Sequence, residues 1–353
     1  MSRFFSRKFD RLTPYTPGEQ PQDKPYVKLN TNESPFPPSD KAVAAAAEEA
    51  ARLQLYPDPT CGKLRAALAQ RYGVAPENVV VTNGSDEVLS FAFMAYGDDG
   101  VAFPDITYGF YRVFADLYGL DYTEIPLKTD FTIDPAEYKG LGKAIFIANP
   151  NAPTGIPLSL AAIEEIVAAN PDHIVVVDEA YVDFGGDSAV PLTAKYDNLL
   201  VTGTFSKSRS MAGARLGFGI ACSALIADLE TLRYSTNPYN INRMTLAAGL
   251  GQLADEDTTR RNCQTIIANR DYTTAALEEM GFTVIPSAAN FVFAATPRVG
   301  GKALYEGLKD RGVLVRHFET PRLKDYNRIT IGSREQMDAL LTAIREILED
   351  DAL

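Results

Sequence analysis

Short, continuously apolar segments recur through the middle of this 353-residue chain and alternate with segments of helical periodicity. Five of these segments are strand candidates, at residues 78–82, 143–148, 173–178, 198–203 and 215–221. Strands that are apolar on both faces and separated by helices are typical of a parallel sheet that helices cover on each side. The pattern therefore predicts an α/β fold with a mostly parallel central sheet.

The sequence changes character at both ends of this region. Residues 1–40 are rich in proline and polar residues, which predicts an N-terminal arm with turns rather than a helix. After about residue 240, long helical segments precede four short strand candidates and a terminal amphipathic helix, as in an α+β domain. We therefore predict an N-terminal arm (1–40), a large domain (41–240) and a smaller C-terminal domain (241–353). Asp40 is the predicted N-cap of the first helix, and Gly73 is the predicted stop of the second.

Charge and composition narrow the possible partners. Acidic residues outnumber basic ones by 46 to 34, and a net charge of −12 disfavours nucleic acid and anionic membrane surfaces. Two histidines and three widely spaced cysteines predict no metal site and a reducing compartment, hence a cytoplasmic location. The first residues lack the apolar core of a secretory signal, and no apolar run approaches the ~20 residues of a membrane span. We expect small-molecule substrates and no membrane association.

Polar motifs follow four of the strand candidates, at the edge of a parallel sheet where ligands bind. Ser85 and Asp86 follow the first strand, Asn151 lies in NPNAPTG after the second, Asp178 ends the third, and Lys207 lies in TFSKSR after the fourth. Singly, these motifs are compatible with a helix cap, a rigid turn, a paired carboxylate and a solvated lysine. Together they provide an amine nucleophile, a carboxylate for a pyridinium nitrogen and a helix N-terminus for a phosphate.

The motifs NPNAPTG, VVDEAY and TFSKSRSMAGARLGFG, in that order, resemble those of fold-type-I pyridoxal-phosphate (PLP) transferases, a family of aminotransferases. Further motifs, from LTPYTPGEQP near residue 12 to RITIGSREQM near the C-terminus, are similar to those of the histidinol-phosphate aminotransferase branch. This resemblance implies transamination of L-histidinol phosphate with 2-oxoglutarate, which gives imidazole-acetol phosphate and glutamate in histidine biosynthesis.

Two other activities stay open, because related proteins share most of these motifs. One is an aminotransferase for aromatic or other amino acids, and the other is a PLP-dependent phosphothreonine decarboxylase, a lyase. A third reading, the aminotransferase-like sensor half of a transcription regulator, expects a DNA-binding domain ahead of the fold. We disfavour it because the motifs start near residue 12.

The resemblance also implies a role for each matching residue. Lys207 would bind the cofactor covalently and move the substrate proton, and Asp178 would pair with the ring nitrogen. Asn151 and Tyr181 would hold the ring's phenolic oxygen, and Tyr108 would stack on the ring. The residues expected at the cofactor phosphate are Ser85, Asp86, Ser206 and Arg215.

Further matches concern the substrate and a second subunit. Tyr56 would reach the cofactor phosphate of a neighbouring subunit, which requires a homodimer with shared active sites. Arg328 would grip the substrate anion with help from Arg316, and Tyr15 and Asn32 lie in N-terminal segments that face the substrate. The chain departs from the family pattern at three places, which are Ala152, Ala214 and the extra residue in PDITY before Tyr108.

Overall fold

The computed structural model of the protein describes residues 2–10 and 12–350. The strands of the described residues are β1 Val27–Lys28, β2 Val79–Thr82, β3 Val101–Pro104, β4 Tyr122–Ile125, β5 Ala144–Ala148, β6 Val175–Asp178, β7 Leu199–Thr204, β8 Gly217–Ile220, β9 Thr283–Ile285, β10 Phe291–Ala295, β11 Val313–Leu314, β12 Arg316–His317 and β13 Tyr326–Thr330. The helices are α1 Asp40–Ala50, α2 Gly62–Tyr72, α3 Ser85–Tyr96, α4 Phe110–Tyr118, α5 Leu160–Ala168, α6 Ser223–Thr236, α7 Arg243–Leu253, α8 Glu256–Glu279, α9 Gly301–Asp310 and α10 Arg334–Asp350.

Seven strands form the large central sheet, in the order β2-β8-β7-β6-β5-β3-β4. Strand β8 runs antiparallel to both of its neighbours, while the other pairs are parallel, so the predicted mostly parallel sheet is confirmed. β8 is reversed because residues 205–216 return from β7 as a loop, without the crossover helix that a parallel connection needs. All five predicted strands are present, and β3 and β4 were not predicted.

Helices cover both faces of this sheet. Along β6, Val175 and Val177 pack on the side of α1, α2, α5 and α7, whereas Val176 packs on the side of α3, α4 and α6. Successive side chains of a strand point to opposite faces, so a continuous apolar run is stable only where both faces are buried. This arrangement leaves the carboxyl ends of the strands as the open edge of the sheet.

A smaller unit packs around a second sheet. Strands β12-β13-β10-β9 form this antiparallel sheet, and α8, α9 and α10 contribute their apolar faces to its core. The N-terminal arm joins the unit, because β1 pairs in parallel with β11 and Leu29 is buried in the same core. Helix α7 packs with the large sheet through Ala248. The boundaries at residues 40 and 240 remain predictions.

The predicted cap of α1 is wrong by one residue. Ser39 is the N-cap, since its backbone is extended and its Oγ accepts a hydrogen bond from the Ala42 N–H at 3.2 Å. Asp40 already has helical geometry and places its charge in the first turn, where it favours the helix dipole. Gly73 ends α2 in the left-handed region, with φ of 69°, as predicted. Within the described part of the chain, no helix is long and apolar enough to cross a membrane.

Candidate active site

A cavity of about 330 Å³ lies at the carboxyl edge of the large sheet, where β6 and β7 end and α3 begins. Eight of the predicted site residues line it, namely Ser85, Asp86, Tyr108, Asp178, Tyr181, Ser206, Lys207 and Arg215. The other six do not line the cavity, and they are Asn151, Tyr56, Arg328, Arg316, Tyr15 and Asn32. The fold thus brings residues from distant parts of the sequence to one place.

Lys207 lies in the loop that leaves β7 and returns on β8. The base of the loop is closed by the Phe205 N–H, which donates to the Leu216 carbonyl at 2.9 Å. The Lys207 ammonium donates to the Thr31 carbonyl at 3.1 Å and lies 5.8 Å from the centre of the Tyr181 ring. It forms no ion pair with a carboxylate of the described residues. Its amine is therefore held in the cavity by a single neutral acceptor.

Asp178 ends β6 at the floor of the cavity, with 5% of its surface exposed. Its Oδ1 accepts a hydrogen bond from the Thr202 hydroxyl at 3.0 Å, and its Oδ2 accepts one from the Tyr111 hydroxyl at 3.2 Å. Burial raises the pKa of Asp178 to about 6, although these two hydrogen bonds act in the opposite direction. No lysine or arginine of the described residues pairs with it. A buried carboxylate of this kind is suited to a cationic ligand group.

The N-terminus of α3 and Arg215 form a potential phosphate site. Helix α3 begins after Gly84, which has φ of 79°, and no side chain of the described residues caps its first N–H groups. Arg215 lies across from this turn and contacts the Asp86 carboxylate at 3.2 Å. A Cβ on Gly84 would lie 2.6 Å from the Arg215 guanidinium, and one on Gly217 would lie 2.2 Å from the Ser85 nitrogen. The glycines therefore permit a close approach that leaves backbone donors open to an anion.

Two of the residues expected at a cofactor ring differ in their placement. Tyr181 lines the cavity, and its hydroxyl accepts a hydrogen bond from the Asn32 amide at 2.9 Å. Asn151 is buried beside the cavity. Its side-chain nitrogen Nδ2 donates to the Ile106 carbonyl at 3.0 Å, and its side-chain oxygen Oδ1 accepts from the Thr107 hydroxyl at 2.9 Å. The Asn151 side chain thus fastens its own turn to the segment before α4, and its expected contact with the ring remains a prediction.

Tyr108 is the aromatic ring of the cavity wall. Its hydroxyl donates to the Asp86 Oδ1 at 2.8 Å, which connects it to the Arg215–Asp86 pair. Tyr15 of the arm lies nearby, with its ring centre 6.5 Å from that of Tyr108 and 4.8 Å from that of Phe110. The extra residue in PDITY does not remove Tyr108 from the cavity.

Arg328 and Arg316 lie directly opposite each other on the antiparallel strands β13 and β12. Arg328 donates from Nη2 to the Asn30 carbonyl at 2.9 Å, while its buried Nε has no partner among the described residues. Arg316 makes long contacts of 3.5 and 3.4 Å with the carbonyls of Pro17 and Thr16, and it has no ion-pair partner among the described residues. Burial lowers the pKa of Arg328. Two like charges opposite each other are unfavourable without an anion between them, so the pair is suited to an anionic ligand.

Asn32 ties this arginine strand to the cavity. Its backbone is left-handed, with φ of 56°, and its N–H donates to the Thr330 hydroxyl at 2.9 Å. Its side chain reaches Tyr181, as described above. Asn32 therefore connects β13 with the residues around Lys207.

Tyr56 is placed away from the cavity of its own chain. The side chain is 77% exposed and stacks on Tyr239, with ring centres 4.5 Å apart. Arg243 holds this segment through the Tyr56 carbonyl and through an ion pair with Glu49 at 2.7 Å. Tyr56 therefore does not contribute to the cavity around Lys207 in its own chain.

Some contributors to the site were not predicted from the sequence, among them Thr31, Glu33, Thr202 and Tyr111. Thr31 and Glu33 line the cavity on either side of Asn32, and the Glu33 pKa is lowered by hydrogen bonds from Lys28 and Thr31 despite partial burial. Thr202 and Tyr111 bind Asp178 from β7 and α4. Tyr111 follows Tyr108 by three residues, a spacing that places two side chains on the same side of a helix, and this is the sequence signal that could have indicated it.

Comparisons with known proteins agree with this geometry. The model of the family described as aminotransferase class I and II matches residues 24–344. Histidinol-phosphate aminotransferase 2 of Dechloromonas aromatica (strain RCB) is 49% identical over 98% of this chain and 99% of its own length. Histidinol-phosphate aminotransferase of Marinomonas sp. (strain MWYL1) is 51% identical over 98% of this chain and 100% of its own length.

Solved structures agree on the fold. Histidinol-phosphate aminotransferase from Sinorhizobium meliloti, in complex with pyridoxal-5'-phosphate, superposes with a TM-score of 0.84 at 24% identity, over 93% of this chain and 92% of that one. L-threonine-O-3-phosphate decarboxylase from Porphyromonas gingivalis superposes with a TM-score of 0.79 at 22% identity, over 92% and 99%. An aminotransferase and a decarboxylase therefore have this fold in common, whereas both of the sequence relatives named above are aminotransferases. This chain belongs to the class I and II aminotransferases and is a PLP-dependent enzyme of fold type I.

Proposed function

We propose that this aminotransferase transfers the amino group of L-histidinol phosphate to 2-oxoglutarate, and so forms imidazole-acetol phosphate and glutamate in histidine biosynthesis. The observation that carries the proposal is the near full-length relationship, at 49 and 51% identity, to two histidinol-phosphate aminotransferases. The paired arginines of β12 and β13 support it, because they provide for an anionic substrate that the net charge of −12 would otherwise repel.

The cavity fits pyridoxal 5'-phosphate in three respects. Asp178 is a buried carboxylate without a cationic partner among the described residues, Lys207 is an amine held by one carbonyl, and α3 presents uncapped N–H groups beside Arg215. When bound, this cofactor supplies an aldehyde that bonds to amines and a protonated ring that accepts electrons from the substrate. The backbone N–H groups of Ser85 and Asp86, together with the side chains of Ser206 and Arg215, would hold its phosphate.

Lys207 would move the substrate proton, and Asp178 would keep the cofactor ring nitrogen protonated. Lys207 would bind the cofactor aldehyde and, once the amino donor displaces it, its free Nζ would take the proton from the donor Cα as a general base. Asp178, when ionised, would hold the proton on the cofactor ring nitrogen. Lys207 would then deliver this proton to the C4′ carbon of the cofactor rather than back to the donor Cα, and hydrolysis by water would release the keto product and complete the half-reaction.

The same arginine pair would serve both substrates. Arg328 presents a buried Nε with no partner among the described residues, and a guanidinium can bind a carboxylate or a phosphate through two parallel hydrogen bonds. Arg316 would help from the neighbouring strand, and Tyr15 and Asn32 would enclose the substrate from the arm. The anions of the amino donor and of 2-oxoglutarate would therefore alternate at one place.

We further propose a homodimer with shared active sites. The exposed side chains Leu53, Leu55 and Tyr56 lie close in sequence, and Tyr56 stacks on the exposed Tyr239. Apolar side chains that are exposed together commonly mark a protein interface. A second copy that covers this surface would bring Tyr56 to the neighbouring cofactor phosphate.

The proposed compartment is the cytoplasm. Cys61, Cys222 and Cys263 are all free thiols, and Cys61 and Cys263 are buried. Free structural thiols persist in a reducing environment. The proposed partners follow from the proposed reaction and are a small amino donor and a 2-oxo acid acceptor.

A substrate panel tests the proposed reaction. Purified enzyme with PLP is assayed for glutamate formation from 2-oxoglutarate with L-histidinol phosphate, phenylalanine or tyrosine as donor, and for carbon dioxide release from phosphothreonine. We expect the highest kcat/KM with L-histidinol phosphate. A clear preference for phenylalanine or tyrosine would replace the proposal with an aromatic aminotransferase, and carbon dioxide release would replace it with the decarboxylase.

A further inference from the structure

Tyr111 is a completely buried tyrosine behind the cavity, and it has no place in the roles assigned so far. It lies in the first turn of α4, where its N–H donates to the Tyr108 carbonyl at 3.1 Å. Its hydroxyl donates to the Asp178 Oδ2 at 3.2 Å. Its ring meets the Tyr108 ring edge-on, with centres 5.8 Å apart and planes at 89°. Three further rings surround it, those of Phe93, Phe103 and Phe146.

The surrounding rings leave the Tyr111 hydroxyl little freedom. Aromatic neighbours lie within about 6 Å of its ring centre, at 6.1, 5.9 and 6.0 Å, and close packing of this kind fixes a side chain in one rotamer. A hydroxyl fixed in this way acts as a donor of set position rather than as an adaptable one. The group it binds is therefore positioned by the core of the large domain.

Neutral donors form hydrogen bonds to both oxygens of the Asp178 carboxylate. Thr202 donates to Oδ1 from the adjacent strand β7, and Tyr111 donates to Oδ2 from α4. Donors on both oxygens determine the rotation of the carboxylate plane, which donors on a single oxygen would leave free. Hydrogen bonds to the charged form also favour ionisation against the cost of burial. No cation of the described residues assists them.

We propose that Tyr111 is a positioning residue for the cofactor. Its hydroxyl fixes the orientation of the Asp178 carboxylate and keeps it ionised for the cofactor ring nitrogen, while its ring edge supports Tyr108. Tyr111 acts through these two residues and does not itself line the cavity. The inference rests on the proposed role of Asp178. The competing explanation is that Tyr111 serves only as an aromatic residue of the core, and that its hydroxyl donates to Asp178 because this is the nearest acceptor.

Cofactor affinity of the apoenzyme tests the proposal without any substrate. Tyr111→Phe keeps the ring and removes only the hydroxyl, and PLP is titrated into the apoenzyme to obtain the dissociation constant. We expect Tyr111→Phe to bind PLP at least about tenfold more weakly than wild type, since a hydrogen bond to a charged group is lost. Tyr118→Phe is the matched control, because Tyr118 ends the same helix and its hydroxyl contacts Ser90 instead of Asp178. Its dissociation constant is expected to stay within about twofold of wild type.

A double-mutant cycle separates positioning from a purely structural role. In the Asp178→Asn background the carboxylate is absent, so the additional change Tyr111→Phe is expected to alter PLP affinity by no more than about twofold. Wild-type affinity of Tyr111→Phe, or an equal loss in both backgrounds, would overturn the proposal. Thr202→Val provides a second arm that leaves Tyr111 intact, and it is expected to weaken PLP binding in the Asp178 background alone.

The cycle also distinguishes this proposal from the roles on which it rests. If Asp178→Asn alone binds PLP as tightly as wild type, the proposed role of Asp178 fails. If Asp178→Asn is impaired while Tyr111→Phe is not, only the role of Tyr111 fails. The choice of amino donor does not enter, because the measurement contains none.

Discussion

Replacement of Arg328 by lysine tests how the enzyme holds its substrates. In the structure Nη2 of Arg328 donates to the Asn30 carbonyl at 2.9 Å, and the buried Nε has no partner among the described residues. The Nε–H is therefore a donor of the Arg328 guanidinium that an anion could still satisfy. A lysine keeps the charge but cannot place two donors in one plane. The loss of one charge-assisted hydrogen bond is worth about 1.5 to 3 kcal/mol, so we expect kcat/KM to fall at least about tenfold.

The assay measures kcat/KM of Arg328→Lys separately for L-histidinol phosphate and for glutamate. Both values are expected to fall, while the affinity for PLP is retained, because the proposed phosphate site lies at α3 and Arg215. Arg311→Lys is the matched control, since Arg311 pairs with Glu346 at 3.1 Å on the surface of the same unit. Wild-type values for both substrates would refute the reasoning. A loss for glutamate alone would show that Arg328 is not the shared anion site, and Arg316 would become the better candidate.

Three further predictions follow from burial and from the proposed dimer. Mixing Tyr56→Phe subunits with Lys207→Ala subunits should restore activity through heterodimers with one intact site, and a fully active monomer in size-exclusion chromatography would exclude a shared site. Tyr138→Phe should raise the free energy of unfolding by about 1 kcal/mol, because the buried Tyr138 hydroxyl has no partner among the described residues, and an unchanged denaturant midpoint would contradict this. Burial raises the pKa of Glu179 to about 8 from 4.5, so the folded apoenzyme holds a proton that the unfolded chain releases, and stability should fall as pH rises through this window. Glu179→Gln should flatten that decline in chemical denaturation, whereas the same slope in both proteins would show that another group is responsible.

The sequence was sufficient for the elements with a strong pattern. The five continuously apolar strands and the residues at their carboxyl ends were all located, because burial on both faces leaves a clear signal. Strand β3 is short, ends in Pro104 and follows an Asp-Gly turn, and β4 is a polar edge strand with an exposed start, so neither resembles a buried strand. The cap of α1 was assigned one residue late because Ser39 and Asp40 are both good capping residues.

The contacts around the site depend on tertiary structure and could not be read from the chain. Tyr111 and Asp178 are 67 residues apart, and the packing of α4 against the central sheet brings their side chains together. Thr31 contributes its backbone carbonyl to the site, and because every residue has such a carbonyl, the sequence could not indicate this contact. The Asn151 motif was recognised, but its amide is bound by the loop before α4, which a local motif cannot indicate.

The central claim is that Lys207 is the amine to which the cofactor bonds. The holoenzyme is reduced with borohydride, digested and mapped by mass spectrometry, and Lys207→Ala is treated in parallel. We predict a single reduced adduct on the peptide that contains Lys207, and a Lys207→Ala protein that is folded but shows no adduct and no turnover. An adduct on any other lysine, or turnover by Lys207→Ala, would contradict the account.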